Sequence, residues 1–146
     1  MDELDIKLLN LLLVNSRLSS RDLAKETGVS IVTVLKRVKA LEAGGVIKSY
    51  SADFDYEKIG YDVSIMVKLR IAKGRLFDVE KKIAVDSHVF AVYDITGDFD
   101  AVVLAKFKSR KSMDSFLKKI QTYDFVERTE TNLILNTIKE SRTIVE

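Results

Sequence analysis

The sequence has no cysteine and no proline, one histidine and six glycines among its 146 residues. Without cysteine there are no disulfides and no thiolate chemistry, and a zinc site would lack its preferred ligand. No run of ~20 uncharged apolar residues occurs, so no membrane span is expected. The start, MDELD, lacks the basic residues of a secretory signal, and a cytoplasmic protein is the expectation. Catalysis is equally short of parts. His88 stands alone at the start of an expected strand, where packing or surface exposure explains it, and no nucleophile elbow, P-loop or metal-ligand cluster is present.

What is present is a hydrophobic content of 47%, enough for a real core, and 32% charged residues, which argue for a soluble protein. The length allows one domain or two small ones. Net charge is only +2, but residues 1–52 carry eight Lys/Arg against six Asp/Glu and so hold all of it. Between Ser30 and Lys48 four basic residues (Lys36, Arg37, Lys39, Lys48) face one acid, Glu42, a local patch of the kind phosphate contact requires.

That patch lies in the most informative stretch, residues 18–47. Ser19 reads as a helix N-cap, with Asp22 placed to reach back to the free amides and Leu18 and Leu23 spaced as a hydrophobic staple. Gly28 supplies the turn, and Ser30 is the next N-cap. In the second helix Val34, Val38 and Leu41 share one side, whereas Val32, Thr33, Lys36, Lys39 and Ala40 point the other way, with Arg37 on the flank. Two short helices joined by a glycine turn, the second small, polar and basic outside, are the elements of a helix-turn-helix. Val46 to Tyr50 alternates like a small strand or wing.

The helix before this stretch, Leu4 to Val14, is apolar nearly all round and predicts cover on two sides. Residues 53–60 read as a linker. From Tyr61 the period changes to two, giving a strand to Ile71. A helix follows on Leu76, Val79 and Ile83, then strands at His88–Thr96 and Ala101–Phe107, a helix on Met113, Phe116, Leu117 and Ile120, and a strand from Val126 to Ile138. The order β-α-β-β-α-β is the split βαβ of ferredoxin-like domains, so the fold class is α+β. Both faces of the second and third strands are apolar, which predicts an obligate dimer with a second copy over the helix-free face.

The arrangement of GVSxxTVxxRVxxLExxGVI early and TGDFDAVV late closely resembles the Lrp/AsnC (feast/famine) transcription regulators over nearly the whole chain. The resemblance implies a winged helix-turn-helix at residues 1–52 and a regulatory, dimerising RAM domain at 61–146. It also implies a homodimer that assembles further, frequently to an octamer, and amino acids or related metabolites bound as effectors between RAM domains. The family's Gly-Asp-Tyr-Asp loop appears as Gly97-Asp98-Phe99-Asp100, without the tyrosine hydroxyl, and Thr129 and Thr131 resemble the small polar residues of the effector cleft.

For double-stranded DNA the candidate contacts are Ser30, Val32, Thr33, Lys36, Arg37 and Lys39, with Arg37 and Lys36 foremost; two such helices roughly 34 Å apart imply a pseudo-palindromic operator. For the effector they are Gly97, Asp98, Phe99, Asp100, Thr129 and Thr131, although Gly and Asp also belong in a simple tight turn. Asp98 and Asp100 lack the further ligands a magnesium site needs. No cofactor is implied beyond the possible amino-acid effector. Two alternatives come from other classes. One is a metabolite-sensing or enzymatic ferredoxin-like protein with a helical interaction module. The other is an RNA-binding sheet, for which the aromatic, glycine-rich strand signature is missing.

Overall fold

Each helix of the first half begins where its side chains satisfy its own free amides. The computed structural model describes residues 1–146. In α1 (Glu3–Val14) Asp2 accepts from the Asp5 amide and Asp5 from the Asp2 amide, a reciprocal capping box. α2 (Ser20–Thr27) opens the same way on Ser19 and Asp22. It ends at Gly28, whose φ of +76° is the left-handed conformation that only glycine adopts without strain. α3 (Ile31–Ala43) is capped by Ser30, whose hydroxyl accepts from the Thr33 amide at 3.1 Å. Leu8, Leu12, Leu23, Ala24 and Val34 are buried together, and Leu18, Val29, Val38 and Ile47 pack around them. The residues after α3 turn at Gly44 and Gly45 and run on without forming a strand.

The chain divides into two packed units, Met1–Asp53 with Lys139–Glu146, and Phe54–Ile138. The sequence reading counts the last eight residues with the second domain; their contacts put them with the first. Asn10, a lone amide among the leucines of α1, donates from Nδ2 to the Val145 carbonyl and accepts from the Val145 amide, both at 2.9 Å. Arg142 donates to the Ser51 hydroxyl at 2.6 Å. The tail is thus fastened to α1 and to the segment that follows α3.

In the second unit a single turn of 3₁₀ helix (Glu57–Ile59) precedes β1 (Val63–Ile71), α4 (Leu76–Ala84), β2 (Val89–Asp94), β3 (Ala101–Phe107), α5 (Arg110–Gln121) and β4 (Val126–Ile134). The strands form one antiparallel sheet in the order β2-β3-β1-β4. Ile65, Val67 and Leu69 of β1 and Ala101, Val103, Ala105 and Phe107 of β3 are buried with Val79 and Ile83 of α4 and Phe116 and Ile120 of α5. Both helices therefore cover one face, and alternation sends Met66, Lys68, Val102 and Leu104 to the other. The last strand stops at Ile134 rather than Ile138, with Leu135 and Ile138 exposed. His88 pairs with Asp86 at 2.9 Å and stacks on Phe107, which is a packing role.

Glu80 of α4 lies beside Asp94 at the end of β2, and its Oε1 is shielded from solvent without a partner. Burial first, and then the Asp94 carboxylate, push the Glu80 pKa up to about 7. A carboxyl whose folded pKa lies above its unfolded value favours folding when protonated, so stability is gained as pH falls through about 7 and lost as it rises. Replacing Glu80→Gln is expected to raise the melting temperature of this unit near pH 8 and to shrink its difference from that near pH 5.5. Parallel pH profiles for the two proteins in thermal melts would contradict the assignment.

Candidate functional site

The outward face of α3 follows from which residues its inward face consumes. Val34 is fully buried and Leu41 nearly so, and at 100° per residue this leaves Val32, Lys36, Lys39 and Ala43 on the opposite side, with Leu35 on the flank beside them. Val32 is 75% exposed, Leu35 44% and Ile31 42%, while Lys36, Lys39 and Ala40 are also exposed. Ser30 is exposed at the helix start, but its hydroxyl serves the Thr33 amide and meets the Thr33 hydroxyl at 2.9 Å. Beyond the helix, Tyr50 donates to Glu42 at 2.7 Å, which draws the following segment back against α3. Burial and that carboxylate raise the Tyr50 pKa to about 12, so the phenol stays a donor.

Arg37 departs from the sequence reading. Its Nη2 lies 2.7 Å from Asp2 and its Nη1 3.3 Å from Asp5, a residue only 7% exposed. The guanidinium thus closes the capping box of α1 from outside and turns toward the protein, away from the face that carries Lys36 and Lys39. A flank position at helical spacing fits either direction; two carboxylates that local sequence does not connect with Arg37 decide it. Leu35 and Ile31, by contrast, are exposed with no signal of it in the sequence, because an apolar residue near a helix core gives no local sign that it faces outward.

In the second unit the Gly97–Asp100 loop joins β2 to β3. Gly97 has φ +114°, and Asp98 is exposed. Asp100 is structural: its amide donates to the Leu69 carbonyl at 2.9 Å, and its carboxylate accepts from the Ile71 amide at 2.7 Å. That bond falls where β1 loses register with β4. Phe99 lies over the helix-free face, its ring 5.4 Å from Lys68 Nζ and 5.3 Å from the Arg128 guanidinium carbon. Lys68 is ion-paired with Glu130, whose carboxyl it holds below its usual pKa.

Thr129 and Thr131 pair directly with Leu69 and Val67, and directly paired residues share a face. They therefore lie on the helix side of the sheet, and the chain does not bring them together with Phe99. The residues it does gather there are Lys68, Arg128 and Glu130, which strand alternation alone reads as solvated charges. No group of three or more His, Cys, Asp or Glu side chains comes together as a metal site. No helix is long and apolar enough to cross a membrane.

Replacing Arg37→Ala is expected to destabilise the first unit by about 1–2 kcal/mol. That is the range for hydrogen bonds to a mostly buried carboxylate, discounted for a half-exposed guanidinium. A denaturant titration checks it, and an unchanged midpoint would place the guanidinium elsewhere.

Comparison with known proteins bears on both halves. Residues 1–48 match the winged helix-turn-helix DNA-binding family, and residues 63–144 match the Lrp/AsnC ligand binding domain. An uncharacterized HTH-type transcriptional regulator of Pyrococcus abyssi is 40% identical over 140 residues, covering 96% of this chain and 95% of the relative. The structure of E. coli AsnC superposes with a TM-score of 0.88 at 28% identity, covering 99% of this chain and 97% of that one. A transcriptional regulator from Neisseria meningitidis in complex with L-Met gives a TM-score of 0.90 at 23% identity, covering 100% and 96%, and so shares the fold. A capped helix-turn-helix with a basic outer face, followed by a one-sided βαββαβ sheet, accords with these matches: the chain belongs to the Lrp/AsnC family of DNA-binding transcriptional regulators.

Proposed function

We propose that the outer face of α3 enters the major groove, with Lys36 and Lys39 on flanking phosphates and Ser30, Val32 and Thr33 near base edges at the helix start. What carries the reading is that face itself: two lysines among exposed small and apolar side chains, with no carboxylate between them. Lysines along such a helix fix its position, while its first turn meets the bases. Arg37 is left out of this role because its charge is already neutralised by Asp2 and Asp5.

The helix-free face of the sheet divides by chemistry. Met66, Ala91, Val102 and Leu104 are half-buried there beside the exposed Tyr93. A second copy of the chain is the proposed cover, giving a homodimer and a pseudo-palindromic operator. Assembly beyond the dimer, up to an octamer, rests on the family resemblance alone. On the β1–β4 side, Lys68, Arg128, Glu130 and Phe99 offer two cations, one anion and a ring within one small area. That set suits a zwitterion, whose carboxylate meets a cation and whose ammonium meets Glu130. An amino acid is therefore the proposed effector, with Gly97 and Asp98 at the loop beside it. The L-Met bound by the Neisseria regulator belongs to the same chemical class. Thr129 and Thr131 stay outside this site.

Two measurements test these readings. Lys36→Ala and Lys39→Ala should each weaken binding to all duplexes alike and, since a dimer loses two phosphate contacts, lower the slope of log affinity against log salt by about 1.8; slopes identical to the parent would remove both from the interface. A thermal-shift and size-exclusion screen of the common L-amino acids, L-Met among them, should find at least one that stabilises the parent protein, an effect lost in Lys68→Met. If no amino acid shifts melting or assembly size, the cluster is structural only.

A further inference from the structure

We propose that this protein reads its operator chiefly through the C5-methyl groups of thymine, with Val32 and Leu35 as the side chains that touch them. The inference rests on the reading that the outer face of α3 enters the major groove. There the base edges present hydrogen-bonding groups and a single apolar feature, the thymine methyl.

The hydrogen-bonding side of that code needs particular side chains: Arg or Lys for guanine, Asn or Gln for adenine, Asp or Glu for cytosine. α3, IVTVLKRVKALEA, contains no Asn and no Gln. Its arginine is held by Asp2 and Asp5, and its glutamate accepts from Tyr50. The Thr33 hydroxyl is engaged with Ser30. Only Lys36 and Lys39 keep uncommitted donors on this face, and both sit beyond the first turn.

The apolar side of the code is fully supplied. Val32 is 75% exposed and Leu35 44%, one helical turn apart on the same face. Their exposure is not explained by helix stability. Ile31, Val32, Thr33 and Val34 are four β-branched residues in succession, a composition that lowers helix propensity. Ala40 and Ala43 are exposed further along, and their small side chains let the helix axis approach the groove floor closely. An exposed valine at the start of a recognition helix lies where base edges are met.

The test replaces thymine by deoxyuridine, which keeps every hydrogen-bonding group and removes only the methyl. An operator is first selected by retention of random genomic fragments on the full-length protein, and each thymine is then changed singly. Affinity should fall roughly fourfold at a few clustered positions, the transfer free energy of about one buried methyl group. The same changes should be nearly neutral toward Val32→Ala and Leu35→Ala, whose salt slopes remain those of the parent. Both variants truncate exposed side chains to the best helix former, so folding is retained. An operator bound tightly but indifferent to deoxyuridine at every position would overturn the inference and leave the groove reading standing. Failure to retain any DNA would overturn both.

Discussion

The outer face of α3 is free for a nucleic acid because its inner face is held to α1. Val34 is buried with Leu8, Leu12 and Leu23, which sets the side of the helix that faces inward. Arg37 adds a directional tie, reaching two carboxylates that belong to the N-terminal cap of α1. Burial alone tolerates some rolling, since apolar contact has no preferred direction. A guanidinium bridged between two acids does not, because its donors are planar and fixed. The presentation of Val32, Leu35, Lys36 and Lys39 thus depends on an interaction made on the other side of the helix.

The second unit applies a related economy to a sheet. β1 and β3, its central strands, bury one set of alternate residues under two helices and leave the other set on the open face. On that face the β2–β3 side is mostly apolar, with Lys106 over the Phe90 ring, whereas the β1–β4 side carries Lys68, Arg128 and Glu130 around Phe99. One surface therefore holds the strip proposed to meet a second copy and, beside it, the charged cluster proposed to take a small zwitterion. A ligand at that cluster would touch the same sheet on which assembly is proposed to depend, which gives a physical route from metabolite to assembly.

The loop between β2 and β3 divides its contacts within four residues. Asp100 spends both its amide and its carboxylate on β1, at the point where the β1–β4 ladder shifts register. Phe99, next to it, makes no backbone contribution of this kind and lies with the charged cluster instead. Gly97 accommodates a φ of +114° that a side chain would strain.

Local features were legible in the sequence because their causes are local. Ser19 with Asp22, Gly28, Ser30, the i, i+4, i+7 burial of α3 and the period of two in β1 each involve residues within about a turn or two, and all reappear in the structure. The order of elements, and with it the α+β class, followed from those periods. What sequence did not determine was the choice of distant partners by long or amide side chains. Arg37 finds Asp5 across 32 positions, Lys68 finds Glu130 across 62, and Asn10 finds Val145 across 135. No periodicity encodes such pairings, since a flexible side chain on a flank fits water, a phosphate or a neighbouring carboxylate equally well until the backbone brings one of them within reach. Tertiary structure alone therefore turned Arg37 inward, set Thr129 and Thr131 on the face away from Phe99, and fastened the last residues of the chain to its first helix.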